Sequence, residues 1–264
     1  MRSHRLSLKR RIGQLYALMR ERDTHRRIIL LYHSIGGGDA AIASETFIDH
    51  LNVIVTTSRL IALRDVVNCS PDRGVAVAIT FDDGYAALRD HASAILANFG
   101  CSATAFLNVS EIADKDRRVS RAEDGYHTGE HFLTWRDVDA LLGAGWHVGS
   151  HGVHHLNLVS VDGATAKNEL STSKLIIERR LGTTCDMFAY PWGRNSPEVR
   201  EAVRSAGYRY AFCGAHRPMT PTRDPFALPR INIAKEYSRD DLAAILRGDW
   251  DYVYWISRAK TVMG

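Results

Sequence analysis

The chain has 264 residues, 45% of them hydrophobic and 24% charged, enough to bury one large core without disulfide staples. Its net charge of +4 is uneven: residues 1–27 hold nine Lys or Arg against Glu21 and Asp23, a net +7, which leaves −3 for the rest. A body of negative net charge lacks the electrostatic footprint of a nucleic-acid binder, and no apolar run is long enough for a membrane span or a secretory signal.

In the basic head, Ile12, Leu15, Tyr16 and Met19 recur at helical spacing among Lys9, Arg10, Arg11 and Arg20. A basic amphipathic helix of this kind either lies on an anionic membrane surface or packs on the body of its own protein. RRIILLYH (26–33) reads as a buried strand, and SETFIDHLNVIV (44–55) as a helix capped by Ser44 with Phe47, Leu51 and Ile54 on one face. VAVAITF (75–81) is a second strand followed by a helix to about Phe99, and ATAFLNV (103–109) a third. Residues 110–133 are polar and irregular, a length typical of functional loops. A helix capped by Thr134 (134–145), the strand WHVGSH (146–151) and a long helix over 163–181 come next. MFAYPWG (187–193) begins as a strand, and the helix over 195–207 has Ser196 as N-cap and Pro197 at its first position. YRYAFC and PRINIA supply late strands, and SRDDLAAIL a last helix before an aromatic tail containing Trp250, Tyr252, Tyr254 and Trp255.

Strands alternating with helices, with no linker or repeat, predict an α/β fold with a mostly parallel sheet that can close into a barrel. Cys69, Cys101, Cys185 and Cys213 form no CxxC pair and are read as buried free thiols. In such folds ligand sites gather at the carboxyl ends of strands. Several of those ends are polar here: His33 after the first strand, Asp82 and Asp83 in AITFDDGYA, His151, His154 and His155 in SHGVHHLNL, YPWG after 189, and Arg230 in LPRIN. Two adjacent aspartates in a confined site repel unless a cation neutralises one. Two histidines and a carboxylate are a common ligand set for a catalytic zinc, so Asp83, His151 and His155 can hold a metal while Asp82 stays free beside it. A metal lowers the pKa of its water from about 15.7 to about 7, which makes a nucleophile available at neutral pH. Asp-Gly is also a common turn, HxxxH alone is a weak signal, and His154 is read as structural.

TFDDG, HGVHH and FAYPWG together resemble the NodB-homology polysaccharide deacetylases, carbohydrate esterase family 4, over residues 28–235. LLYHSI stands near the start, whereas many members carry the L-x-H motif near the end, so the chain resembles the circularly permuted branch. The resemblance implies a single-domain irregular (β/α) barrel flanked by the basic segment 1–27 and a C-terminal helix with an aromatic-rich tail (236–264). It implies Asp82 as catalytic base, Asp83, His151 and His155 as metal ligands, and His33 as general acid. Leu31 would line the acetyl pocket, and Tyr190, Pro191 and Trp192 would contact substrate, with a backbone N–H of the Pro-Trp pair on the oxyanion. Arg230 would orient the base. Two positions depart from the pattern: Ala189 stands where RxPYG has arginine, and Gly152 where Ser or Thr follows the first metal histidine.

The implied activity is metal-dependent removal of an N-acetyl group from an N-acetylated sugar of a surface glycan or its precursor, with zinc expected and cobalt or nickel as alternatives. A deformylase or other amide hydrolase on the same site, a non-catalytic glycan-binding domain and a non-haem iron oxygenase are the rival readings. The expected partner is an N-acetylated carbohydrate, with a lipid-linked form among the options, and no nucleic acid. The expected location is the cytoplasm, with peripheral contact of residues 1–27 at the inner membrane face as the accompanying hypothesis.

Overall fold

The structure is a computed structural model that describes residues 2–21, 23–38, 40–68, 74–220 and 224–263. In chain order the elements are α1 (Arg2–Met19), β1 (Arg27–Tyr32), α2 (Ser44–Thr57), β2 (Arg59–Leu60), α3 (Leu63–Asn68), β3 (Ala76–Phe81) and α4 (Ser93–Asn98). They continue with β4 (Thr104–Leu107), α5 (Trp135–Gly143), β5 (His147–Ser150), α6 (Gly163–Leu181), β6 (Met187–Ala189) and α7 (Pro197–Ser205). The chain ends with β7 (Tyr210–Gly214), β8 (Leu228–Asn232), α8 (Arg239–Arg247) and α9 (Tyr252–Met263). All the strand pairings are parallel, and β1 pairs with both β3 and β8. The ring β1-β3-β4-β5-β6-β7-β8 therefore closes into a seven-stranded barrel, with the first strand inserted between the last and β3. The two-residue β2 lies beside the start of β3, at Ala76 and Val77, and β4 takes the same strand at Thr80 and Phe81.

The pleat sorts the side chains, because successive residues of a strand face opposite sides. Ile29, Ala76, Ala78, Phe106, Met187, Ala189, Phe212 and Leu228 form one buried cluster inside the barrel, joined by Leu63 and Val66 of α3 and by Met219. Their neighbours Ile28, Leu30, Tyr32, Val77, Ile79 and Phe81 belong to the larger cluster under the surrounding helices. Fully buried strands on both faces explain the near-continuous apolar runs of β1 and β3.

Local sequence chemistry behaves largely as expected. Thr134 and Asp137 form a reciprocal capping box at α5, and Ser196 caps α7 with Pro197 at its first position. Phe47, Leu51 and Ile54 are buried on α2, but Ser44 is its first residue and Ala43 occupies the cap without a side-chain bond. The helix expected after β3 opens with a π-turn over Leu88–Ala92 before α4. Cys101, Cys185 and Cys213 are free, Cys101 being only half-buried, and Cys69 lies outside the described residues.

Helix α1 docks on the body. Arg10 makes a two-pronged bond of 2.7 Å and 2.7 Å to Asp241 of α8, and Lys9 donates to the Tyr237 hydroxyl at 2.6 Å and sits over the Trp250 ring. The Tyr252 hydroxyl donates to the Lys9 carbonyl, and the rings of Tyr16 and Tyr252 pack at 5.8 Å. Trp250 and Tyr252 are thus buried against α1. The apolar stripe divides: Ile12 and Tyr16 are half-buried against the core, while Leu15 and Met19 are exposed. Among the described residues no helix is long and apolar enough to cross a membrane.

The α1–α8 contact has a pH signature. Burial opposes ionisation of Asp241, but Arg10 and the hydrogen bonds of Ser238 hold its carboxyl below the usual carboxylate range. A depressed folded-state pKa contributes stability above the unfolded value of about 3.9, and that contribution is lost as pH falls through the folded value. Asp241→Asn is expected to lower the thermal midpoint at pH 7 by roughly 2–6 °C, from a loss of about 1–2 kcal/mol. The gap to the wild type should begin to shrink below about pH 4 and close only as pH falls through the lower folded value, and equal midpoints at pH 7 would contradict the contact.

Candidate active site

The carboxyl ends of β1, β3, β5, β6 and β8 converge on one cleft of about 300 Å³, lined by Leu31, His33, Asp82, Asp83, His151 and His155, with His127, Trp192 and Asn232 at its edges. Leu31, Asp82, His151 and Arg230 continue the inward-facing rows of their strands, so the site is the upper layer of the barrel lining. Asp83 cannot face the same way while the pleat continues. It leaves the strand with φ +71°, and Gly84 follows at +79°, which turns two neighbouring carboxylates into one cleft. Among the described residues the non-glycine positions with positive φ are Asp83, His155 and Trp192, and all three line this cleft. Such conformations persist where the surroundings over-determine them, commonly at functional sites.

Arg230 is fully buried and grips Asp82 with both terminal nitrogens, 2.6 Å to Oδ1 and 2.6 Å to Oδ2. The RxPYG arginine position is Ala189 here, and the guanidinium that faces Asp82 comes instead from β8. Burial works against the Asp82 charge, but Arg230 and His151 hold its carboxyl below the usual range, so it stands ionised at neutral pH.

Asp83, His151 and His155 form a cluster whose ligating atoms all lie within 4.8 Å of one another. Asp83 Oδ1 is 3.6 Å from His151 Nε2 and 3.5 Å from His155 Nε2. Two ligands each about 2.0–2.2 Å from a tetrahedral zinc lie roughly 3.4 Å apart, so these donors fit a single ion. His151 Nδ1 donates to the Ala189 carbonyl at 2.8 Å, which leaves Nε2 as the lone-pair nitrogen aimed at the cluster. Burial pushes the His151 pKa down to about 4, and a neutral imidazole is the form that binds a metal. His155 is stacked by Tyr126 at 4.8 Å and by Trp192 at 5.4 Å, and its carbonyl accepts from Trp192 Nε1.

His154 stays out of the cluster and donates through Nδ1 to Glu169 at 2.7 Å. Glu169, buried on α6, also accepts from the backbone N–H groups of Val153 and His154, and so pins the loop that carries His155. The same carboxylate accounts for Gly152: its φ is +92°, and a Cβ there would stand 3.1 Å from Glu169 Oε2.

Tyr190 requires a correction. One step along the strand from inward-facing Ala189, it points outward, is fully buried, and donates its hydroxyl to the Phe226 carbonyl at 2.8 Å. Its amide is taken by the Phe212 carbonyl, so neither group is available to substrate. Pro191 is buried behind the turn and does not line the cleft, whereas Trp192 stands 57% exposed at its rim. His127, Asn232 and Glu169 are not singled out by the motifs. His127 comes from the irregular loop 110–133, its ring 5.2 Å from that of His33, and its amide donates to the Tyr85 hydroxyl. Burial, and then the neighbouring His33, lower the His127 pKa.

Because the Arg230–Asp82 pair is buried, removing one member strands the other. Arg230→Met is expected to cost about 3–5 kcal/mol in urea unfolding, and adding Asp82→Leu to recover most of that loss. A single variant as stable as the wild type would show that the pair is not closed in solution.

The sequence profile of the polysaccharide deacetylase family matches residues 70–211. Among curated proteins, YxkH of Bacillus subtilis, whose name assigns it provisionally to the polysaccharide deacetylases, is 25% identical over 83% of this chain and 75% of its own length. A poly-beta-1,6-N-acetyl-D-glucosamine N-deacetylase of Staphylococcus aureus is 22% identical over 67% of this chain, and the match spans 59% of that enzyme. Among solved structures, the deacetylase PplD of Streptococcus pyogenes has a TM-score of 0.69 at 19% identity, covering 85% of this chain and 99% of that one. IcaB of Ammonifex degensii has a TM-score of 0.70 at 18% identity, covering 86% and 99%. At these identities the two structures share the barrel, and the family match carries the assignment: this chain belongs to the polysaccharide deacetylase family.

Proposed function

We propose that the chain is a metal-dependent N-deacetylase that hydrolyses the acetamido group of an N-acetylated sugar in a surface glycan or its precursor. The observation that carries the reading is the pairing, in one cleft, of a two-histidine, one-carboxylate cluster with a separate buried carboxylate held by Arg230. A divalent cation held by Asp83, His151 and His155 would supply Lewis acidity to the acetamido carbonyl and to the attacking water.

The protein's own groups handle protons and position. Asp82 is ionised and takes the proton of the attacking water, while Arg230 fixes the orientation of its carboxylate. The amide of Trp192, in its left-handed turn, is the donor assigned to the developing oxyanion. His33, which lines the same cleft as the aspartates, gives a proton to the departing sugar nitrogen, and Leu31 walls the pocket for the acetyl methyl. His127 stands against His33 and restricts its ring.

The substrate test is a panel of N-acetylated glycans in free, polymeric and lipid-linked form, scored for released acetate. Acetate from at least one class is expected; formate would favour the deformylase reading, and binding without release the glycan-binding one. Alanine at Asp83, His151 or His155 is expected to reduce bound metal and activity together, whereas unchanged metal content in all three variants would remove the ligand assignment. Asp82→Asn should keep its metal and lose roughly 10²- to 10⁴-fold in rate. A metal-free or fully active Asp82→Asn protein would show that Asp82 is not the base.

A further inference from the structure

The catalytic cleft does not end at the sugar-sized pocket. It shares His33, His127 and Asn232 with a cleft of about 750 Å³ and mixed lining, which includes Ser34, Thr128 and Lys235 beside Ile42 and Ile233. Ala234 and Glu236 line both that cleft and a groove of about 650 Å³ between α1 and α9. Residues 232–237, leaving the carboxyl end of β8, run along all three spaces. The wall chemistry changes along this path. Titratable groups line the catalytic cleft, a mixture of hydroxyls, Lys235, Glu236 and isoleucines the middle, and mainly aliphatic or aromatic side chains the far groove: Leu6, Leu8 and Ile12 from α1, Val253 and Ile256 from α9, and Tyr237. Arg5 and Lys9 border that apolar stretch.

A polysaccharide chain would be served by polar and aromatic contacts throughout, and an aliphatic trough continuous with the cleft offers it little. A sugar joined through a phosphate to a hydrocarbon chain matches the sequence of walls: acetamido sugar in the cleft, anionic linkage in the middle stretch that holds Lys235, and tail in the groove that Arg5 and Lys9 border, with Glu236 the one carboxylate shared by the two spaces. We propose that the groove between α1 and α9 holds the hydrocarbon tail of a lipid-linked N-acetylated glycan whose sugar occupies the catalytic cleft. This rests on the deacetylase reading, and it gives α1 a role as one wall of a substrate site.

The test has a binding arm and a turnover arm, both on the full chain. In the first, calorimetry compares dodecyl phosphate, below its micelle concentration, with ethyl phosphate. Burying a methylene changes affinity by about fourfold, so a gain of at least about tenfold is expected. Leu8→Glu with Ile256→Glu, at positions 58% and 46% exposed and therefore tolerant of charge, should abolish the gain. Equal affinity for the two phosphates, or a gain that survives the double variant, overturns the assignment. In the second arm, acetate release is compared for an N-acetylglucosamine oligomer with and without a dodecyl phosphate tail. A higher kcat/KM for the tailed form, lost in the double variant, supports the proposal; equal values overturn it and leave the deacetylase reading standing. No acetate from either form, with dodecyl phosphate still bound tightly, defeats the deacetylase reading for that sugar and keeps the groove as a lipid site. Adsorption to carrier-free anionic vesicles, or dimer formation, lost in the double variant without any preference for dodecyl phosphate, assigns the face to a membrane surface or a second copy and overturns the proposal.

Discussion

A guanidinium and a carboxylate share the interior of this barrel, and neither has bulk water to retreat to. Arg230 enters from the middle of β8 and Asp82 from the end of β3, and they meet in a two-pronged contact of 2.6 Å on each side. The contact depends on barrel closure, since β3 and β8 are neighbours only through β1. It also sets the chemistry. With Asp82 charged and fixed, the second carboxylate beside it is tolerable where a cation can share it, and His151 and His155 stand at the distances that would do so. The layer beneath, Ala76, Ala78, Ala189 and Phe212, is apolar and sets these charges in a surrounding of low polarity.

The support around this centre comes from distant parts of the chain. Glu169 pins the loop of His155 from α6, the Ala189 carbonyl fixes the tautomer of His151, and Tyr126 and Trp192 stack on His155. Partners of this kind orient ligands and commonly matter to metal affinity nearly as much as the ligands themselves. The left-handed residues Asp83, His155 and Trp192 show where the backbone is bent to serve the cleft.

Much of this was legible in the sequence because the relevant signals are local. A buried strand followed by two aspartates and a glycine marks a strand end, and HGVHH and PWG mark two more. Arg230 as the partner of Asp82 was legible as well, since Ala189 left the usual arginine position empty. Tyr190 misled for a physical reason: adjacency in a motif hides the alternation of the strand, which sends Ala189 inward and Tyr190 outward. His127 and Glu169 were hidden because a loop histidine and a helix glutamate show their purpose only when the chain is folded around them. For α1, amphipathic spacing fits a membrane surface and a protein surface equally well. The docked face is revealed by partners more than 200 residues away, Asp241 and Tyr237, and by Trp250.

The most direct test of the central claim is acetate release from an N-acetylated glycan substrate by the intact chain, followed through metal removal and restoration. The account predicts that chelation abolishes release and that stoichiometric zinc, cobalt or nickel restores it. Acetate release that continues undiminished in the fully chelated protein would contradict it.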